Sequence, residues 1–279
     1  MSLALARDAG GQRYVEASCP CRIGLLKAIR RSEVLQCYRA NRLLLRMSAI
    51  LWGYPLLMSF RRYGASVRCH DASFSNEEKA SAFEAQNPGL SALPVSSTTD
   101  AVDAVVSDLG GLDIAVINDF YPAVRAPVGV ATTEEFRKGL EALMVVPFET
   151  ASAAARHMKP NKRGKMIFVT SAAPFHGLPN YSMYAAGRGG ANAMALSIAK
   201  ELARDNIQVN AVAPNYVESE SYFPPELLAD EKALAKMTSK VPLGRLGKPE
   251  EVSELIAFLA SEKAGFITGQ IIPVAGGWA

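Results

Sequence analysis

From residue 64 onward, apolar runs bounded by turn residues alternate with amphipathic stretches of helical composition. Residues 65–71 (ASVRCHD) read as a short strand after Gly64, and EEKASAFEA follows as a helix. Residues 112–118 (LDIAVIN) form a continuous apolar run, the pattern of a parallel strand covered on both faces. Residues 132–158 open with a Thr and Glu capping pattern and continue as a long helix. A buried strand follows at 165–171, then a second long helix at 181–204, rich in Ala and Gly. IQVNAVA (207–213) is a further strand, PEEVSELIAFLAS a helix and QIIPVAGG a last strand. Strands and helices in this rhythm predict an α/β fold: a doubly wound, Rossmann-like parallel sheet with helices on both faces, in a single domain.

Composition agrees. With 279 residues, 49% hydrophobic and 20% charged, and a mean hydropathy of +0.07, the chain can bury a large core. A net charge of +3 is too mild to imply a nucleic-acid partner. That charge is uneven, because residues 1–46 hold nine Arg or Lys against three acids. The four cysteines, at 19, 21, 37 and 69, have neither a histidine cluster beside them nor a secretory apolar segment ahead, and read as reduced cytosolic thiols. Cys19-Pro-Cys21 is closer than the usual CxxC metal pair, so no metal site is expected. Residues 43–60 are apolar enough to raise a membrane segment, but Arg46, Gly53 and Pro55 interrupt them; a strand, turn and helix start fits better, and a cytoplasmic protein without a membrane partner is expected.

The candidate chemistry lies at Ser171, Tyr184 and Arg188, spaced Ser-x12-Tyr-x3-Arg. Ser171 ends a buried strand, Tyr184 opens the next helix, and Arg188 lies one turn on, so tyrosine and arginine share a helix face. A guanidinium that stays protonated favours tyrosinate over phenol, which makes Tyr184 a candidate general base. Ser171 is placed to hold a substrate hydroxyl, although a serine at a strand end also serves as a turn or helix cap.

Several motifs carry a resemblance. The Ser-x12-Tyr helix, NAVAP, PLGRLGKPEEVSELIAFLAS and TGQIIPVAGGW together resemble the short-chain dehydrogenase/reductase fold over residues 64–279. Four features depart from the reductase pattern. No TGxxxGxG turn precedes Gly64, where Gly10, Gly11 and Gly53 are the glycines of interest. Arg188 stands for the lysine that holds a nicotinamide ribose. Asn215 stands for the glycine after the loop proline, and Leu143 lies near the usual catalytic asparagine. Four changes around one cofactor imply that no dinucleotide binds.

The segment APNYVESESYFPPELL is similar to the anion pocket of the halohydrin dehalogenases, a cofactor-free branch of that fold bearing Ser, Tyr and Arg; CHDASF and INDF resemble it too. The resemblance implies dehalogenation of vicinal haloalcohols to epoxides with release of halide and a proton, and the reverse opening of epoxides by small anions. Ser171, Tyr184 and Arg188 would be catalytic, with Asp119 orienting Arg188. Pro214, Asn215, Tyr216, Val217, Tyr222, Phe223 and Leu51 would line the halide and substrate site. No cofactor is implied, and the partners are a small haloalcohol or epoxide and a halide or other small anion. A homotetramer or homodimer through the helices beginning at 132 and 181 is expected, with Trp278 at a subunit contact. Asp71 reads as inherited structure and His176 as a solvated loop residue. The rival readings are an NAD(P)-dependent reductase with a divergent cofactor site and a non-catalytic scaffold.

The first 64 residues admit two placements of the opening strand. MSLALARDAGG resembles a normal start followed by an insertion, whereas residues 43–51 give the expected spacing to the next strand and bring Leu51 or Trp52 to the pocket wall. The second is preferred. It makes residues 1–40 an atypical basic N-terminal extension and 41–279 the catalytic domain.

Overall fold

The computed structural model describes residues 3–7, 13–17, 42–47, 60, 64–219, 222–223 and 225–279. Two strands, β1 (Leu3–Arg7) and β2 (Arg13–Ala17), pair antiparallel in a sheet of their own. The main sheet has seven strands: β3 (Arg42–Met47), β4 (Ser66–His70), β5 (Ser91–Ala92), β6 (Ile114–Asn118), β7 (Gly164–Val169), β8 (Ile207–Pro214) and β9 (Ile271–Val274). They lie in the order β5-β4-β3-β6-β7-β8-β9, every neighbouring pair parallel. The chain reverses direction across the sheet between β3 and β6, which makes that pair its switch point.

The apolar runs become the middle of this sheet. Every residue of β6 and β7 is buried, as is all of β8 except Gln208, because helices cover both faces. Alternate side chains feed two cores. Ile167 and Val169 point toward Val116, Val212, Val252 and Ile256, whereas Met166 and Phe168 point toward Ala115, Val105, Ala154 and Ile198.

The helices lying wholly within the described residues are, in order, α1 (Glu77–Gln86), α2 (Thr98–Leu109), α3 (Thr133–Leu140), α4 (Val146–Met158), α5 (Ala173–His176), α6 (Ser182–Leu202), α7 (Pro225–Ala229), α8 (Glu231–Thr238) and α9 (Pro249–Ala260). The predicted Thr cap is present: Thr132 Oγ1 accepts from the Glu135 amide at 3.1 Å. The single helix expected over 132–158 is instead two, joined by a π turn at Glu141–Val145. Pro147 has no N–H to donate to the carbonyl of Leu143, four residues back, and the wider turn accommodates that missing bond. The sequence pattern assigned no element to α2, although Ser97 caps it (Asp100 N to Oγ, 3.0 Å) and Gly110, with φ 72°, ends it. The strand predicted at 165–171 closes at Val169, leaving Thr170 and Ser171 beyond the sheet.

Of the two placements for the opening strand, β3 takes the interior position between β4 and β6: Leu43 stands opposite Val67 on one side and Ile114 on the other. Arg42 locks that edge, its Nε and amide on Asp113 Oδ2 (2.8 and 2.9 Å) and Nη2 on Oδ1 (2.9 Å). Leu51, Trp52, Gly53 and the cysteines at 19, 21 and 37 lie outside the described residues.

Candidate active site

Ser171 sits just past β7, where the strand hands over to α5, and is 4% exposed. Its Oγ accepts the Ala173 amide at 3.1 Å, so it does cap the turn. A hydroxyl keeps one proton to donate after accepting, so capping and substrate binding are compatible. The Ser171 carbonyl accepts from Asn192 Nδ2 at 3.3 Å, which ties this turn to the middle of α6.

Tyr184 and Arg188 stand one turn apart on α6. Arg188 is 4% exposed; its Nη1 donates to the Val169 carbonyl at 3.1 Å and its Nε to the Tyr184 oxygen at 3.4 Å. One planar fork thus fastens the end of β7 and faces the phenol. The helix approaches α3 and the π turn closely because Gly187 has no side chain: a Cβ there would lie 3.1 Å from Leu143 Cδ1. Leu143, at the expected asparagine position, is a buried packing residue, 1% exposed.

The charges follow from this geometry. Burial by itself would push the Tyr184 phenol up, but the Arg188 charge and hydrogen bonds from Tyr222, Arg188 and Ser171 outweigh it, so its pKa falls below the usual tyrosine value. Burial would lower the Arg188 pKa, but the facing phenols raise it, so it stays a cation. Tyr222, desolvated and facing Tyr184, moves the other way and remains a neutral phenol.

The wall opposite α6 is the loop after β8. Asn215 Oδ1 accepts the Tyr216 amide at 2.9 Å, and Tyr216 adopts φ 54°, a left-handed conformation uncommon for a non-glycine residue. The turn throws the Tyr216 ring against Trp278 (centroids 5.4 Å apart), which in turn stacks on His176 at 4.4 Å. Trp278 is therefore packed within its own chain, 9% exposed, rather than held out for a neighbour. His176 is exposed on one side of that stack.

Between these walls lies a cavity of about 330 Å³. Ser171, Tyr184 and Arg188 line it together with Pro214, Asn215, Tyr216, Val217, Tyr222 and Phe223, so nine of the eleven expected site residues converge. Leu51 lies outside the described residues, and Asp119, 6% exposed at the end of β6, lines a second cavity of about 590 Å³ with Asp71, Phe120, Glu134 and Arg137. Asp71 caps the turn after β4, accepting the Ser73 amide at 2.8 Å. Sequence reasoning missed Asn118, Leu178, Tyr181 and Lys240 on the first cavity. Asn118, last residue of an apolar strand run, carried a signal; Lys240 reaches the site only through the path of α8. Among the described residues no group of three metal-ligating side chains occurs, and no helix is long and apolar enough to cross a membrane.

Comparison with known proteins places this geometry. A family model described as enoyl-(acyl carrier protein) reductase matches residues 53–279. The chain belongs to the short-chain dehydrogenase/reductase family. Within that family, a solved structure titled "Dehalogenation enzyme" is 43% identical, with a TM-score of 0.84 over 87% of this chain and 100% of its own. A halohydrin dehalogenase (HheC) bound to ethyl (2S)-oxiran-2-ylacetate is 36% identical, TM-score 0.81, over 84% and 96%. Among curated sequences, the 3-oxoacyl-[acyl-carrier-protein] reductase MabA of Mycobacterium tuberculosis is 37% identical over 183 residues, 64% of this chain and 72% of MabA. The resemblance to the halohydrin dehalogenases thus holds over most of the chain, inside a family whose curated sequence relatives include reductases.

Proposed function

We propose that this protein is a halohydrin dehalogenase, a carbon–halide lyase that converts small vicinal haloalcohols into epoxides and, in reverse, opens epoxides with small anions. The observation that carries the reading is a tyrosine of lowered pKa, held between Arg188 and Ser171, on one wall of a small cavity whose other wall carries Asn215, Tyr216, Val217, Tyr222 and Phe223. Ser171 holds the substrate hydroxyl while the Tyr184 oxygen takes its proton. The O–H electron pair becomes the nucleophile, the new C–O bond closes the epoxide, and the C–halogen bond breaks with its electron pair leaving on halide. The proton on Tyr184 then passes to water. Holding hydroxyl and halide in line supplies the advantage of an intramolecular attack, and the mostly apolar loop wall receives the halide where few waters compete.

The residues beside Tyr184 do not fit a nicotinamide ribose. The Arg188 fork is engaged by the Val169 carbonyl and the Tyr184 oxygen, and the cavity, at about 330 Å³, is at the low end for a ligand site. The fold similarity to a halohydrin dehalogenase that holds an epoxide ester supports the same reading. With it come the further proposals that Asp119 supports Arg188, that residues 1–40 are an extension to a catalytic domain at 41–279, and that the enzyme works in the cytoplasm as a homotetramer or homodimer.

The test is incubation with chlorinated and brominated propanols without nicotinamide. Halide release that vanishes in Tyr184→Phe and Ser171→Ala is expected. Silence across a broad panel, or oxidation of NAD(P)H with a ketone substrate, would overturn the proposal in favour of a reductase.

A further inference from the structure

We propose that Tyr222 is a positioning residue of this site, and not only part of its wall: its hydroxyl donates to the Tyr184 oxygen and holds Tyr184 in its base form. This rests on the reading of Tyr184 as the base. The two phenol oxygens are 3.4 Å apart, the same separation as Arg188 Nε to Tyr184. Both contacts exceed the usual O–H···O and N–H···O lengths, as catalytic hydrogen bonds often do before substrate binds. The ring of Tyr222 is held by an edge contact to Phe120 (centroids 5.8 Å apart), and its amide donates to Ser219 Oγ at 3.3 Å, so the hydroxyl is aimed from a fixed ring.

The direction of the bond follows from the surroundings. Arg188 favours the anion at Tyr184, while burial and that neighbouring anion keep Tyr222 protonated. A neutral phenol beside a phenolate can only donate. The groups facing Tyr184 come from four sides: Arg188 on its own helix, Ser171 after β7, Tyr222 after β8, and Tyr121 across a small gap. Tyr121 donates to Glu135 at 2.5 Å, so its proton is committed elsewhere. Tyr181, Tyr216 and Lys240 line the same cavity. Among the described residues, Tyr222 is thus the phenol in hydrogen-bonding reach of the Tyr184 oxygen, and as a neutral donor it supports the anion that faces Arg188 without adding a second charge.

Tyr222→Phe in the full chain removes one oxygen and keeps the ring against Phe120. The readout is tyrosinate absorbance titrated in the free protein, with Tyr184→Phe as the blank that isolates the Tyr184 signal. Loss of one charge-assisted donor should move the Tyr184 titration upward by about one pH unit, a tenfold smaller ionised fraction below it. The acid limb of halide release should move by the same amount, a displacement along the pH axis that a merely structural role would not produce. An unmoved titration, or a loss of rate equal at every pH, overturns the proposal. A shifted titration in a protein that releases no halide would leave Tyr222 in this role and remove the dehalogenase reading instead.

Discussion

Arg188→Gln separates charge from scaffold. Glutamine can still offer a donor to the Val169 carbonyl, now bonded at 3.1 Å, but carries no charge toward Tyr184. Opposite unit charges at the observed 3.4 Å separation attract by about 5 kcal/mol at an effective dielectric of about 20, equivalent to ~3.5 pH units. Solvent reaching the half-buried phenol weakens this, and about two units is the expected rise in the Tyr184 pKa. Because the base form is the active one, halide release should fall about a hundredfold on the acid limb, below the original Tyr184 pKa, and recover as pH rises through the new one. The assay is halide release across the pH range, with thermal unfolding as a check on the fold. An acid limb in its original place, with the rate lowered equally at all pH, would refute the electrostatic role and leave Arg188 as a strut between β7 and α6.

Two further expectations concern the fold. Burial alone would raise the Asp113 carboxyl, but its hydrogen bonds with Arg42 outweigh that and hold it below the usual carboxylate range. Its contribution to stability is therefore fully present above the unfolded carboxylate pKa and lost as pH falls through the depressed one; Asp113→Ala should cost about 1–3 kcal/mol in a urea melt at neutral pH, and an unchanged midpoint would argue against β3 as the strand between β4 and β6. Cys69, buried in β4, has its thiol pushed up to about 12, mainly by burial. It should react with an alkylating reagent only at the rate of unfolding, and rapid modification of Cys69 in the folded chain would contradict its place in the core.

Much of this architecture was legible in the chain. The runs LDIAVIN and KMIFV have no polar face because they stand in the middle of a sheet covered on both sides, and periodicity reads that directly. Tyr184 and Arg188 were legible for a different reason: one helical turn is local geometry, so spacing puts them on one face, while Ser171 was joined to them by the family resemblance. The π turn was not read, because its cause is a single missing N–H at Pro147 inside an otherwise regular helical pattern. Trp278 was expected at a subunit contact, yet its ring lies between His176 and Tyr216, residues 102 and 62 positions earlier.

The sequence by itself determined the doubly wound sheet, its buried middle strands and the pairing of a tyrosine with an arginine on one helix face, since all three depend on periods of two or about four residues. Only the tertiary structure decided what that pair meets. Leu178, Tyr181 and Lys240 arrive on the cavity from different segments, and β3 finds its place between β4 and β6 through partners far along the chain. Such meetings depend on how the loops after β7 and β8 close over the sheet, which no local pattern encodes. The charge on Tyr184 belongs to the same class, because it is set by burial and by neighbours that only folding brings within reach.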